Sequence, residues 1–291
     1  MSATLTAPAH RPAGSGRRAP GPVLLATDGR SAAAGAARIA GQLAARLGTA
    51  PHALAILEPV ATYTPELLVA LPPSYDAERR AAARDGVRAQ LADVIGPTCD
   101  WRVDAELGVP PQTIAEVARE RGASLVVLGI GRHSPFDRLF GTETALRVVR
   151  ATDRPVLAVT GTCAELPRTA IAALDFTPAS VYAAEAATAV LADGGRLLLV
   201  HVKPRVNAGQ PLLADWDAAY TRRVEELFAR TVELLRERRD DLALDTQMVT
   251  GEPADEVLAA AAREQAELIV TGTHGAGLVE RLFVGSVATA V

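Results

Sequence analysis

The chain has 291 residues, 49% hydrophobic and 22% charged, which is enough for two domains with buried cores. A net charge of −4 with both signs mixed, and only 4% aromatic residues, exclude the basic footprint and base-stacking surface of a nucleic-acid binder. Cys99 and Cys163 lack metal-ligand spacing, the first twenty residues lack a signal-peptide core, and no apolar run is long enough to span a bilayer, so the chain reads as soluble, cytoplasmic and free of membrane contacts.

Residues 1–21 are dominated by Pro, Gly, Ala and Arg and are expected to be a disordered tail. Order is expected to begin with Pro22–Asp28, an apolar run ended by Asp28-Gly29 that reads as a buried strand and a turn. Ser31 is the expected cap of an alanine-rich helix that runs to Leu47 and stops at Gly48. A strand over Ala53–Leu57, a loop through Pro72 and Pro73, a charged helix over Asp76–Ile95 and a strand over Arg102–Leu107 follow. Gly108-Val109-Pro110 opens the next helix, because proline suits a first helical turn. Leu125–Leu128 has no polar face and reads as a central parallel strand. A helix over Thr142–Arg150 and a strand over Val156–Val159 close the unit.

The same order then repeats at an offset of about 143 to 147 residues: Ala170–Asp175, Arg196–His201, the charged helix Trp216–Arg239, Leu242–Val249, Gly251-Glu252-Pro253 and Leu268–Val270. Strands alternating with helices imply an α/β fold, here two tandem doubly wound parallel-sheet domains over residues 22–161 and 168–291. Ligands on such sheets bind outside the carboxyl ends of the strands, and Asp28, Asp175 and both glycine-rich segments fall there. The second copy ends a few residues after Ser286, so its last helix and strand are expected to be missing. Either the chain is a piece of a longer one or an edge strand comes from elsewhere; truncation is the expectation.

The segment after strand four of the second copy reads Gly272-Thr273-His274-Gly275, then nine residues, then Gly285-Ser286-Val287. Glycines let a backbone approach a phosphate, and free amides at a helix start favour an anion. The spacing is neither the dinucleotide fingerprint nor the P-loop. With an Asp at the end of strand one, it resembles the universal stress protein family, and two copies in one chain resemble its tandem members. The resemblance covers Pro22–Val291. It implies a five-stranded flavodoxin-like sheet in each copy, dimers formed between chains or as a pseudo-dimer within one, and ATP as the ligand, with magnesium left open. It also implies that Asp175 and Val200 line the adenosine site, while Gly272, Gly275, Gly285, Ser286 and Val287 hold ribose and phosphates.

The first copy departs from this pattern. Keeping nine residues between Gly131 and Gly141 places Leu128 at the first glycine, whereas matching Arg138-Leu139-Phe140 to Arg281-Leu282-Phe283 restores Gly129 and places Arg132 at the second. Asp28, Gly141 and Thr142 remain under both alignments, so a first-copy site stays open. His274 sits in the glycine loop, where phosphate contact and plain solvation are both open, and His201 reads as a packed core histidine. No catalytic base or nucleophile has an identified partner. The expected function is an adenine-nucleotide-binding stress or signalling module acting through nucleotide-dependent conformation or assembly. A scaffold with empty sites and an ATP-hydrolysing or transferase enzyme are the alternatives.

Overall fold

Short runs of buried aliphatic residues make the strands of this protein, and helices rich in alanine lie flat on them. The computed structural model describes residues 3–7, 21–59, 74–130, 142–203 and 212–273. These divide into two compact units, Pro12–Glu165 and Met1–Arg11 together with Leu166–Val291. The first strand in chain order, β1 (Ala3–Ala7), belongs to the second of these units and is taken up with it.

The first repeat runs β2 (Val23–Ala26), a 3-10 turn (Ser31–Ala33), α1 (Ala34–Leu47), β3 (Pro51–Leu57), α2 (Tyr75–Val94), β4 (Arg102–Leu107), α3 (Pro110–Glu120), β5 (Leu125–Ile130), α4 (Thr142–Ala151) and β6 (Val156–Thr160). Its strands lie in the order β4-β3-β2-β5-β6, every neighbouring pair parallel. All four residues of β2 are buried, as a central strand covered on both faces requires. α1 packs on β2, β5 and β6. It ends where Gly48 adopts φ 61°, a left-handed turn that glycine enters without steric cost. Ser31 is not the cap expected of it. The chain first makes the 3-10 turn, whose cap position is Arg30, with no side-chain capping bond.

The second repeat runs β7 (Thr169–Ala173), α5 (Pro178–Val190), β8 (Arg196–Lys203), α6 (Leu212–Arg236), β9 (Ala243–Thr250), α7 (Pro253–Arg263) and β10 (Leu268–Gly272). Its strand order is β9-β8-β7-β10-β1, again with parallel neighbours. The place beside β10 on the side away from β7 is filled by β1, in register from Ala3 opposite Leu268 to Ala7 opposite Gly272. In the first repeat β6 holds that place beside β5, and Gly129 faces Val159 there as Gly272 faces Ala7 here. α5 packs on β10 and β1 as α1 packs on β5 and β6.

Residues 3–7 therefore correct the expectation of a disordered tail over 1–21; residues 8–20 lie outside the described part. Ala-Thr-Leu-Thr-Ala alternates apolar residues with β-branched threonine, and Leu5 and Ala7 are fully buried. The strand expected to be missing from the second sheet is supplied from the other end of the sequence. The helix expected to start near Ser286 lies outside the described residues, as does the loop containing Pro72 and Pro73.

Candidate functional site

In each repeat the chain leaves the first strand in one direction and returns on its other side with the fourth. The switch in strand order lies between β7 and β10, and between β2 and β5. A crevice opens outside the carboxyl ends of two strands whose connections diverge, which is where ligands of this architecture sit. Asp175 and Gly272 flank the switch point of the second repeat, and Asp28 and Gly129 flank that of the first.

Both aspartates close a tight turn. The Arg30 amide donates to Asp28 Oδ1 at 3.0 Å, and the Thr177 amide donates to Asp175 Oδ1, also at 3.0 Å. The Thr177 hydroxyl adds a 2.6 Å bond to the same oxygen. Thr177 is also the cap of α5, and its hydroxyl oxygen accepts from the Ser180 amide at 3.4 Å, with Pro178 in the first turn. The Asp175 carboxylate is thus held beside the start of the helix that overlies the switch point.

Gly272 and Gly129 are glycines for a packing reason. A Cβ on Gly272 would lie 2.8 Å from the Ser180 nitrogen and 2.9 Å from the Ala179 carbonyl carbon. One on Gly129 would lie 2.9 Å from the Ala33 Cα. Both strands end where a helix start presses against their backbone. The shared environment and register decide between the two alignments of the first copy: Gly129 stands where Gly272 stands. Counting onward without a gap sets Arg132 against Gly275.

Val200 lies with its side chain in the core. It is fully buried in a core cluster with Ile171, Val257, Ala260 and Ile269, and its carbonyl accepts from the Leu174 amide at 2.8 Å. Its side chain packs with Val257 and Ala260 of α7. The next residue, His201, is buried on the opposite face of the strand. Its Nδ1 pairs with the Leu174 carbonyl and its Nε2 with the Tyr220 hydroxyl, each at 2.7 Å. It is the packed histidine expected from its place in an apolar strand.

Sequence reasoning missed the aromatic group built around that histidine. The Phe176 ring lies 5.0 Å from the His201 ring and 5.2 Å from Phe228, while Tyr220 stacks 5.1 Å from the half-exposed Trp216. Lys203 pairs with Asp217 and sits 5.8 Å from the centre of the Tyr220 ring. Burial raises the Tyr220 pKa, against a smaller opposing effect of Lys203. The spacing of Trp216, Tyr220 and Phe228 along α6, four and then eight positions, was the available signal, since residues at i, i+4 and i+8 recur along an amphipathic helix face.

Gly131, Gly141, His274, Gly275, Gly285, Ser286 and Val287 lie outside the described residues, and Thr142 is described only as the start of α4. Among the described residues no group of three His, Cys, Asp or Glu side chains could hold a metal. No described helix is long and apolar enough to cross a membrane.

Comparison with known proteins agrees with this geometry. The universal stress protein family model matches twice, over residues 21–160 and 167–291. The universal stress protein in the QAH/OAS sulfhydrylase 3′ region of Thermus aquaticus is 38% identical over 106 residues, covering 36% of this chain and 74% of that protein. A universal stress protein structure from Archaeoglobus fulgidus aligns with TM-score 0.58 at 18% identity, covering 93% of this chain and 91% of that one. A functionally unknown protein from Pseudomonas aeruginosa aligns with TM-score 0.52 at 16% identity, over 94% and 88% of the two chains. These two structures share the fold.

Proposed function

Since this chain belongs to the universal stress protein family, we propose that its second repeat binds ATP or a related adenine nucleotide at the switch point between β7 and β10, and that the bound nucleotide biases the conformation or assembly of the protein in a stress or signalling response. The observation that carries this reading is the placement of Asp175 just beyond the carboxyl end of β7 and of Gly272 at the carboxyl end of the neighbouring β10, directly before the glycine-rich segment. In this reading Asp175, fixed by Thr177, faces the adenosine part of the ligand. The amides of Gly285, Ser286 and Val287 receive the phosphates, with Gly275 and His274 beside them. The Val200 side chain is left out, because it is buried against α7.

The first repeat is assigned no nucleotide. Asp28 and Gly129 repeat the frame of the site, but Arg132 in place of Gly275 puts a side chain where the backbone would have to approach a phosphate. Assembly through a homodimer, or through the two repeats of one chain, is part of the same proposal.

The test is to purify the full chain, identify any nucleotide released on denaturation, and measure ATP affinity before and after Gly285→Val and Ser286→Ala. Wild type is expected to bind ATP, and the replacements to weaken it roughly tenfold or more. Equal binding by wild type and variants would remove the phosphate assignment. Rapid ATP turnover dependent on Asp175 would favour an enzyme instead.

A further inference from the structure

We propose that residues 3–7 act as a donor strand fixing the start of the glycine-rich segment of the second repeat, so that nucleotide affinity there depends on the opposite end of the sequence. The affinity part rests on the nucleotide reading above; the structural part does not.

β1 accompanies β10 along its whole length, and each end of the pairing is tied by a backbone bond. The Ala3 amide donates to the Glu267 carbonyl at 3.0 Å, and the Thr273 amide donates to the Ala7 carbonyl at 2.9 Å. Thr273 is the last described residue before His274 and Gly275, so Ala7 holds the point from which the glycine-rich segment departs. Between these ends the Thr6 and Thr271 hydroxyls meet at 3.4 Å, and both threonines are buried. Leu5 and Ala7 are fully buried where α5 crosses β1 and β10. The first turn of α5 in turn presses on Gly272 through Ala179 and Ser180. One helix therefore clamps the donor strand and the strand that leads into the proposed phosphate site.

Without β1, β10 loses its described partner on that side, and the bond from the Thr273 amide to the Ala7 carbonyl is lost. Amides that receive a phosphate bind well only when held in place beforehand, because ordering them on binding subtracts from affinity. In the first repeat the corresponding strand, β6, follows β5 within the same repeat. A strand joined to its site only through intervening chain can be replaced by the same sequence supplied in trans at a concentration rivalling the tethered one.

The experiment compares the full chain with a deletion of residues 2–8 and with Leu5→Asp, reading ATP affinity and amide hydrogen exchange. Both variants are expected to weaken ATP binding roughly tenfold and to lose protection over residues 268–273, with residues 125–130 unchanged as the internal control. A synthetic peptide of residues 2–8 at millimolar concentration is expected to restore both properties to the deletion variant. Unchanged protection over 268–273 in both variants would overturn the donor-strand role. Lost protection with unchanged affinity would overturn the coupling. Loss of protection spreading to 125–130 in both variants would mean general unfolding and would overturn a local role. Should wild type bind no ATP, the nucleotide reading falls with the affinity half of the proposal, and exchange alone decides the strand.

Discussion

Phe176 occupies a backbone conformation that its own side chain disfavours. It follows Asp175 with φ 61°, and Gly29, which follows Asp28 in the first repeat, has φ 78°. The turn after the first strand demands a left-handed residue, and the two repeats meet that demand with opposite choices. A non-glycine residue there costs roughly 1–3 kcal/mol, offset in the second repeat by ring contacts with His201 and Phe228. Phe176→Gly removes both the strain and the ring, whereas Phe176→Ala removes the ring and keeps the strain. Stability is therefore expected to fall from wild type to glycine to alanine, with the last two separated by about 1 kcal/mol. Urea unfolding of the three chains checks the order, and an alanine variant at least as stable as the glycine variant would contradict it. Asp28 and Asp175 were legible because an acid closing an apolar run marks a strand end. The direction of Val200 was not, because a strand buried on both faces has no polar side to show which way a residue points.

Among the elements, the amino-terminal ends of the strands carry charge clusters of opposite sense. In the first repeat Asp104 accepts from Arg102 at 2.9 Å and Arg121 at 3.3 Å, and pairs with the buried His52 at 3.0 Å. In the second, Arg196 donates to Asp245 at 2.6 Å and Glu264 at 2.7 Å. The strand registers set Arg102 against Asp245 and His52 against Leu198, while Arg121 and Glu264 both cap the helix that follows. Two sign patterns thus join the same three elements. The difference has a consequence in pH. Burial lowers the His52 pKa below its ordinary 6.5, only partly opposed by Asp104. An unfolded chain then binds a proton near pH 6.5 that the folded chain refuses, so stability is lost as pH falls through that value, by at most about 1.4 kcal/mol per pH unit. Partial burial of Asp104 raises its pKa, but Arg102, His52 and Arg121 together lower it below 3.8. Its contribution is therefore present above pH 3.8 and lost only as pH falls further. His52→Leu, the residue found at this place in the second repeat, is expected to flatten the decline between pH 7.5 and pH 5.5 in exchange protection of the β3 amides. An unchanged slope would show that another group titrates there. These clusters left little trace in the sequence, because their members come from different strands and helices and meet only in the folded sheet.

At the scale of the whole molecule, the duplication was legible because each repeat presents the same series of apolar runs and punctuating glycines at a steady offset. β1 was not, because five residues of alternating pattern are too short to stand out from a Pro/Gly/Arg-rich neighbourhood. Thr6 and its contact Thr271 are 265 positions apart, and no local pattern records a pairing at that distance. That separation also orders events during synthesis. At about 5–20 residues per second, residues 3–7 leave the ribosome roughly 15–50 s before the strand they pair with. The first repeat carries all five of its strands in one continuous stretch and can close in that interval. The second repeat must wait for β10 before β1 can take its place in that repeat's strand order. In refolding from denaturant, pulse-labelled amides over 125–130 are expected to become protected before those over 268–273, since contacts between distant segments form slowly. Simultaneous protection would refute that order. Until β10 arrives, the edge of Ala-Thr-Leu-Thr-Ala that will meet it has no partner from its own repeat, so the nascent protein passes through an interval in which another nascent copy's β10 could capture it.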